Sequence, residues 1–288
     1  MKKNILKNMT IDIICPLYNA EKYLKNLNNY LQMQKNVNIN NINYILTESV
    51  DHTEDILKEQ NCNYIKIKKE DFSHSLTREN AAMKSNADII VFVTQDVVIE
   101  DLYWLYYLVK DLGKNNIVAS YSRQISKYNS IEKYTREYNY PSNSKIVSIK
   151  DISELGLKTF FFSDASGAIL TSIFKKLNGY DQKNLPISED MYLAYKIITN
   201  GYKIKYCADS IVYHSHKFKF KQMYNRYKLT GQFFKENNYL NSFNVTKSGS
   251  NLAKYVLKRI IQEHRLALLF KYPLDMASRY FGMRAGEK

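Results

Sequence analysis

The chain has 288 residues, of which 45% are hydrophobic and 24% charged, an ordinary globular composition that excludes wholesale disorder. Nine Gly and four Pro exclude collagen-like and low-complexity chains, and three widely spaced cysteines exclude a disulfide framework and a zinc knuckle. The net charge of +14 is concentrated after residue 213, where 15 Lys and Arg face four Asp and Glu. Such a basic C-terminal quarter favours an anionic partner: a membrane, a nucleic acid or a phosphorylated substrate.

The first 125 residues alternate between short apolar runs and amphipathic segments. We predict strands at residues 11–15, 43–46, 64–67, 87–93 and 117–121. We predict helices between them at residues 19–31, 51–57, 75–86 and 101–112. The run at 87–93 is apolar on both faces, which is typical of a central parallel strand covered by helices on both sides. This alternation predicts an α/β fold with a Rossmann-like, doubly wound, mostly parallel sheet.

The alternation loosens in the second half of the chain. We predict further strands at residues 160–170, 203–206 and 210–213. We predict a surface-exposed helix at 131–140 and further helices at 172–177, 189–199 and 220–235. A polar segment at 241–251 predicts a linker, and residues 252–270 predict a basic helix.

Polar residues follow several predicted strands, at the edge where open α/β sheets bind ligands. Asp96 follows the strongest strand, where it either holds a divalent cation or caps the next helix. Glu189 and Asp190 begin a helix, where acidic residues are common because they complement the positive end of the helix. His214 and His216 are two residues apart on an extended segment, so both side chains point to the same side, either for a ligand or for a structural role.

Six short stretches follow one another in a characteristic order along nearly the whole chain. They are Pro16-Leu17-Tyr18-Asn19, His74-Ser75-Leu76-Thr77-Arg78-Glu79-Asn80, Thr94-Gln95-Asp96, Gly179-Tyr180-Asp181, Ser188-Glu189-Asp190-Met191 and His214-Ser215-His216. Together with a closing Arg279-Tyr280-Phe281-Gly282, this series resembles the family 2 inverting glycosyltransferases, within them the bacterial rhamnosyltransferase-like branch. The resemblance implies the GT-A fold.

The resemblance also implies roles for single residues. Asp96 matches the second acid of an Asp-x-Asp motif that holds Mg²⁺ or Mn²⁺ on the donor's diphosphate, although Thr94 replaces the first acid. His216 is implied as a further metal or diphosphate contact. Asp190, with Glu189 beside it, matches the general base. The implied donor contacts are Pro16, Tyr18, Asn19, Arg78, Asn80 and Gln95, with Glu48 and Asp51 both open as the nucleobase contact.

The function implied is a metal-dependent transfer of a sugar from a nucleotide-diphosphate donor, dTDP-L-rhamnose, to a hydroxyl of a surface-glycan or lipid-linked acceptor. One cation and one base suffice for a single displacement with inversion, because the cation stabilises the leaving diphosphate and the base takes the acceptor's proton. Two alternatives stay open: a UDP-hexose or UDP-N-acetylhexosamine donor, and a non-catalytic membrane-associated scaffold of polysaccharide assembly.

This resemblance divides the chain into a catalytic domain and a basic extension. Residues 1–217 form the former, with a nucleotide-binding half (1–125) and an acceptor half (126–217), and residues 218–288 form the latter. The extension either lies in a membrane interface or packs its apolar face on the catalytic domain. No nucleic-acid module accompanies its charge. Because the N-terminus is polar and no apolar run approaches ~18 residues, we expect a cytoplasmic protein. The acceptors that the resemblance implies, together with the basic extension, place it peripherally on the inner face of the membrane as an expectation.

Overall fold

The chain, described by a computed structural model over residues 8–243 and 245–288, is built around one eight-stranded sheet. The strands are β1 (Thr10–Leu17), β2 (Asn38–Thr47), β3 (Tyr64–Ile67), β4 (Ile89–Val93), β5 (Ile117–Ile125), β6 (Lys145–Val147), β7 (Ser166–Leu170) and β8 (Lys203–Tyr213). Their order across the sheet is β3-β2-β1-β4-β7-β5-β8-β6.

Helices connect these strands and follow the last of them. The first eight are α1 (Glu21–Gln32), α2 (Thr53–Glu59), α3 (His74–Lys84), α4 (Trp104–Val109), α5 (Ile131–Asn139), α6 (Ile152–Leu155), α7 (Thr171–Lys176) and α8 (Glu189–Thr199). Three more follow β8, namely α9 (Phe220–Glu236), α10 (Val245–Gln262) and α11 (Leu266–Glu287).

The sheet is parallel except at β6 and β7. The strands β3, β2, β1 and β4 pair with one another in parallel, and β5 pairs in parallel with β8. The strand β7 runs antiparallel between β4 and β5, and β6 is an antiparallel edge strand. Because Val93 pairs with Ser166, the start of β7 lies at the edge where β1 and β4 end. The predicted mostly parallel α/β sheet is confirmed.

Apolar side chains cover both faces of this sheet, in two large clusters of buried residues. The strand β4 is buried along its whole length, as its apolar sequence predicts. Phe92 packs edge-to-face on Phe174, with ring centroids 5.8 Å apart. Each side chain of this size contributes about 1.5–3 kcal/mol when fully buried, so the two layers hold the sheet edge rigidly.

Three predicted strands differ in extent. Of residues 160–170 only Ser166–Leu170 form a strand, since Phe160 ends a 3₁₀ helix (Gly156–Phe160) and residues 161–165 form a loop. The strands predicted at 203–206 and 210–213 are one strand, β8, whose pairing with β5 shifts register beyond Cys207. Asp209 and Ser210 interrupt the apolar pattern there, but Ser210 is buried and lies 2.8 Å from the Ser122 hydroxyl.

The region between residues 241 and 270 also differs from its prediction. The predicted linker at 241–251 is wrong for most of its length, because α10 begins at Val245, and residue 244 lies outside the described residues. The helix predicted at 252–270 is two helices, which separate at His264 in a left-handed conformation (φ 52°).

The helix predicted to be surface-exposed, α5, is instead covered by the C-terminal helices. Its Tyr134 is buried with Val256 and Ile260 of α10 and Tyr272 of α11. The Tyr134 hydroxyl also donates a hydrogen bond of 2.8 Å to Glu263. The C-terminal residues therefore pack on the sheet domain.

Glycines bring α9 and α11 into backbone contact. A Cβ added at Gly286 would lie 2.0 Å from the Lys228 carbonyl oxygen, and one added at Gly282 would lie 2.4 Å from that of Tyr224. Gly231 meets the same stretch of α11, 2.3 Å from the Met283 carbonyl oxygen by the same measure. Such close packing needs residues without side chains. We call these three residues the glycine contact.

Candidate active site

A large cavity opens at the edge of the sheet where β1, β4, β5 and β8 end. Its volume is about 1590 Å³, beyond the ~300–1000 Å³ that encloses a typical small ligand. Its walls come from the ends of the strands, the start of α8, and the helices α5, α9 and α11. The cavity is therefore larger than a site for one small ligand and has room for two substrates.

Asp96 forms a cluster with two histidines on one side of the cavity. The Asp96 Oδ2 atom lies 3.5 Å from His214 Nε2 and 3.5 Å from His216 Nδ1. One ligand atom from each residue falls within 4.8 Å of the others. Burial acts to raise the pKa of Asp96, but the hydrogen bond to His214 and the charges of both histidines outweigh it and hold that pKa at about 2.

Backbone pairing brings these residues together. After Asp96, Val98 exchanges two hydrogen bonds with Tyr213 at the end of β8, of 2.8 and 2.9 Å. The next residue, His214, donates its N–H to the Ile125 carbonyl at the end of β5. Of the two histidines we predicted only His216 as a metal contact, and His214 joins it because β8 ends beside the loop that follows β4.

Gln124 fixes which nitrogen of His214 carries the proton. The Gln124 Oε1 atom accepts a hydrogen bond from Arg136, which can only donate, so the amide oxygen faces His214 Nδ1 at 2.9 Å. Nδ1 therefore carries the hydrogen, and Nε2 of a neutral His214 directs a lone pair towards Asp96. Two acceptors facing each other at 3.5 Å need a proton or a cation between them.

These residues fit a divalent cation. A carboxylate oxygen and two imidazole nitrogens suit Mn²⁺ better than Mg²⁺, which prefers oxygen ligands. Thr94, which replaces the first acid of the Asp-x-Asp motif, lines the same cavity. Its Oγ1 is buried without a hydrogen-bond partner among the described residues.

Asp190 and Glu189 lie at the start of α8 and line the same cavity as Asp96. The Asp190 Oδ1 atom accepts a 2.8 Å hydrogen bond from the Met191 N–H, which orients the carboxylate. Burial raises the pKa of Asp190 well above its usual range, and the charges of Glu189 and Asp164 raise it further. A carboxylate with a raised pKa accepts a proton more readily than an exposed one.

Arg78 lies among the carboxylates. Its side chain is buried, with Nη1 3.5 Å from Glu189 Oε1. Arg78 also lowers the pKa of Asp164, which burial and Glu189 nevertheless raise to about 7. We predicted Arg78 as a donor contact, but its nearest charged partner is Glu189.

Asp164 is a site residue that the sequence analysis missed. It lies just before β7 and accepts a 2.6 Å hydrogen bond from the Tyr180 hydroxyl, while its Oδ1 has no partner among the described residues. It reaches the site because β7 is antiparallel, so the start of this strand meets the ends of the parallel ones. The available signal for Asp164 was the polar pair Ser163-Asp164 before an apolar run. The sequence does not show, however, whether the strand that follows is parallel or antiparallel to its neighbours.

The end of β1 and the loop after it join the cavity through Pro16 and Tyr18, respectively. Gln95 also lines the cavity, but its amide is already engaged: Oε1 accepts from the Tyr18 N–H at 2.7 Å, and Nε2 donates to the Tyr18 carbonyl at 2.9 Å. Gln95 therefore holds the β1 loop against the end of β4.

Four of the predicted donor contacts lie away from the cavity lining. Asn19 Oδ1 accepts from the Val50 N–H, and Asp51 accepts from the Glu21 N–H and Thr53. Both therefore brace the loop beside the site. Glu48 and Asn80 are exposed and are likewise not among the cavity-lining residues that the structure describes.

The C-terminal helices form a wall of the cavity. Five cations from this part of the chain line it: Lys217, Lys219, Arg226, Lys271 and Arg279. Among the residues described here, Arg279 alone of these five has a carboxylate within 4.0 Å, that of Asp275. Within residues 8–243 and 245–288, no helix combines the length and apolarity needed to cross a bilayer.

Comparisons with known proteins identify relatives of this chain. Residues 12–177 match the family described as Glycosyl transferase family 2. The O-antigen chain rhamnosyltransferase RfbN of Salmonella typhimurium is 34% identical over 229 residues, which are 78% of this chain and 72% of that protein. The O-antigen chain rhamnosyltransferase WbaN of Salmonella anatum is 35% identical over 190 residues, which are 65% of this chain and 60% of that protein.

Solved structures share the fold. The mannosyltransferase PcManGT from Pyrobaculum calidifontis, in complex with GDP-Man and Mn²⁺, superposes with a TM-score of 0.64 at 14% identity, over 96% of this chain and 85% of that chain. S. aureus TarS 1-349 gives a TM-score of 0.54 at 16% identity, over 97% and 90% of the two chains. The predicted GT-A fold is thereby confirmed.

Proposed function

This chain belongs to glycosyltransferase family 2 and is a rhamnosyltransferase-like enzyme, and from this premise we propose that it transfers L-rhamnose from dTDP-L-rhamnose to a hydroxyl of a surface-glycan or lipid-linked acceptor. The transfer is a single displacement with inversion. The similarity of this chain to two O-antigen chain rhamnosyltransferases supports the proposed donor sugar and the proposed class of acceptor. The scaffold alternative is excluded because the chain is an enzyme.

One observation carries this proposal: a carboxylate–histidine cluster and a carboxylate of raised pKa share a single cavity. Asp190 takes the acceptor's proton while the hydroxyl oxygen attacks the anomeric carbon. A hydroxyl has a pKa far above neutral, so it needs a base within hydrogen-bond reach as it attacks. The Met191 N–H holds one oxygen of Asp190, which leaves the other for the acceptor.

Asp96, His214 and His216 would hold the divalent cation, which is Mn²⁺ in preference to Mg²⁺ on the donor set above. The bound cation would offset the negative charge that grows on the diphosphate as the sugar leaves. Gln124 keeps His214 in the tautomer whose free nitrogen faces Asp96. Pro16 and Tyr18 contact the nucleotide within the donor half (1–125), and Asp190 faces the acceptor within residues 126–217.

The C-terminal helices also offer an exposed apolar stripe. Leu266, Phe270 and Leu274 recur every four residues on α11 and are 67%, 81% and 55% exposed. The exposed cations Arg265 and Lys271 flank it. Part of the predicted apolar set, Val256 and Ile260, packs on α5 instead. We propose that the stripe contacts the cytoplasmic face of the membrane, where a lipid-linked acceptor would be presented.

The stripe gives a direct test. Replacing Leu266, Phe270 and Leu274 together by Ser should weaken binding to phosphatidylglycerol vesicles more than tenfold, because each large apolar side chain contributes about 1.5–3 kcal/mol when buried. The measurement is vesicle co-sedimentation. Val50→Ser, at a residue 96% exposed elsewhere, is the matched control. Equal binding of the triple variant and the wild type would refute membrane contact through this stripe.

A donor panel tests the function itself. We expect dTDP-L-rhamnose in Mn²⁺ to raise the melting temperature more than UDP-glucose, UDP-N-acetylglucosamine or GDP-mannose, because a ligand at a hundred times its Kd stabilises the native state by about 2.7 kcal/mol. Release of dTDP, followed with and without acceptor glycans, measures turnover. A preference for a UDP-sugar would replace the proposed donor, and stabilisation by no sugar nucleotide would contradict the proposal.

A further inference from the structure

One ion pair on α5 reaches both histidines of the carboxylate–histidine cluster. Arg136 donates to Glu132 Oε1 from both Nε and Nη2, at 3.2 and 3.0 Å. The other oxygen of Glu132 accepts the backbone N–H of His216 at 2.6 Å. The remaining guanidinium nitrogen, Nη1, donates to Gln124 Oε1, which faces His214 Nδ1. Each member of the ion pair is therefore connected to one histidine.

The orientation of the Gln124 amide depends on Arg136. Gln124 Nε2 donates to the Ser163 hydroxyl at 2.8 Å, and Oε1 lies 2.9 Å from His214 Nδ1. A hydroxyl and a neutral imidazole can each donate or accept, so both of these contacts would survive if the amide turned over. A guanidinium can only donate, so Arg136 requires the amide oxygen on its side.

Asp96 favours the opposite tautomer of His214. Its Oδ2 atom lies 3.5 Å from His214 Nε2 and attracts a hydrogen to that nitrogen. A hydrogen on Nε2 blocks the lone pair that a cation needs, because neutral imidazole binds metal through its unprotonated nitrogen. The hydrogen bond from Nδ1 to Gln124 opposes this effect, and it requires the amide orientation that Arg136 imposes.

The opposite face of α5 is held by the C-terminal helices. Lys133 and the Tyr134 hydroxyl both donate to Glu263, at 2.9 and 2.8 Å. Arg259 of α10 donates to Glu137 at 3.1 Å. These contacts fix the position of α5 without including a histidine of the cluster. They therefore provide a control for the ion pair on the other face.

We propose that Glu132 and Arg136 are positioning residues for the carboxylate–histidine cluster. Arg136 acts through Gln124 and keeps the Nε2 lone pair of His214 free for the cation. Glu132 holds both Arg136 and the backbone N–H of His216. This inference rests on the proposed function, which assigns the cation to the cluster, and adds that the cation affinity depends on two residues outside the ligand set.

The first test measures the affinity of the full chain for Mn²⁺ by electron paramagnetic resonance. Arg136→Met keeps an unbranched side chain without donors and should weaken Mn²⁺ binding about 10–100-fold, the usual effect of removing a partner that orients a ligand. Arg259→Met removes the guanidinium that holds α5 from the other side and should leave the affinity unchanged. An equal loss in both variants would overturn the proposal, because the placement of α5 would then explain it.

The second test determines the tautomer of His214. Nitrogen-15 NMR is recorded in EDTA and at alkaline pH, where imidazole is ordinarily neutral. The hydrogen should lie on Nδ1 in the wild type and on Nε2 in Arg136→Met, and the signal that disappears in His214→Gln assigns the residue. A hydrogen that stays on Nδ1 in Arg136→Met would refute the role of Arg136.

A carboxylate at position 124 provides a rescue. Gln124→Glu places a group that can only accept beside His214 Nδ1, so it keeps the hydrogen there without Arg136. Combined with Arg136→Met, it should restore the tautomer and the Mn²⁺ affinity, since carboxylates orient metal-binding histidines in this way. Should Arg136→Met lower the melting temperature, Glu132→Gln, which removes the charge that holds Arg136, should weaken Mn²⁺ binding instead.

The outcomes distinguish this inference from the proposed function. A wild type that binds no Mn²⁺ would overturn the metal assignment and this inference with it. A wild type that binds Mn²⁺ no more tightly than Arg136→Met and Glu132→Gln would overturn only the positioning role. None of these measurements uses the sugar donor, so a different donor specificity leaves them unchanged.

Discussion

Asp190→Asn is expected to lower the rate of sugar transfer about 10²–10⁴-fold, the usual contribution of a positioned general base. The amide keeps the shape of the side chain but takes no proton. Burial and two neighbouring carboxylates raise the pKa of Asp190, so its charge destabilises the native state at neutral pH. The variant should therefore melt at the same temperature as the wild type or higher. The measurement is transfer of rhamnose to an acceptor, with donor binding followed separately.

The same residue predicts the pH dependence of the wild type. The base must be ionised to act, so activity should fall as the pH drops through the raised pKa of Asp190, at a higher pH than for an ordinary carboxylate. This acidic limb should be missing from the residual activity of Asp190→Asn. Asp209→Asn, at an exposed carboxylate outside the cavity, is the control and should match the wild type. Wild-type turnover in Asp190→Asn would exclude Asp190 as the base.

Removing the metal, or its carboxylate ligand, is expected to have the second large effect. EDTA should abolish transfer, and Mn²⁺ should restore it more fully than Mg²⁺ because two of the three candidate ligands are imidazoles. Asp96→Ala should lower the rate roughly a hundredfold or more at saturating Mn²⁺, since a bound cation is worth several kcal/mol and about 1.4 kcal/mol is tenfold.

A control variant and a metal-binding measurement test the assignment of Asp96. Glu100→Gln removes an exposed carboxylate four residues beyond Asp96, outside the cavity lining, and should leave both the rate and the response to EDTA unchanged. Binding of Mn²⁺, followed by electron paramagnetic resonance, should be lost in Asp96→Ala and kept in Glu100→Gln. Full activity in EDTA, or tight Mn²⁺ binding by Asp96→Ala, would contradict the assignment.

The sheet was predictable because each strand is a short apolar run that can be identified from neighbouring residues alone. β4 is five apolar residues long and buried throughout, so its sequence alone predicts a position in the interior of the sheet. Asp96 was predictable because it follows a strand that the sequence predicts. Asp190 was predictable because it lies at the start of a predicted helix. Their presence in one cavity was also predictable, because a resemblance along the whole chain places them at the same edge.

The remaining site residues depend on contacts between distant segments. Asp164 enters the site through the antiparallel direction of β7, and His214 joins Asp96 through the pairing of Val98 with Tyr213. Asn19 was predicted as a donor contact, and Asp51 was left open with Glu48 as the nucleobase contact; in the structure Asn19 and Asp51 accept hydrogen bonds from neighbouring backbone N–H groups. Motif position alone does not reveal such partners.

The C-terminal quarter was the least predictable part. Its charge and its apolar periodicity are equally compatible with membrane contact and with packing on the sheet domain. In the structure one part of the apolar set packs and another part does not: Val256 packs on α5, while Phe270 is exposed. The start of α10 at Val245 was missed because Gly249 and the serines around it resemble a linker in composition.

The glycine contact has an evolutionary consequence. Because α9 and α11 meet backbone to backbone, their packing depends on Gly231, Gly282 and Gly286, in addition to the hydrogen bond between Arg279 and Tyr227. Descendants of this chain can therefore exchange other wall residues such as Met223 and Thr230 and diversify in substrate preference, while the reaction chemistry at the sheet is inherited unchanged.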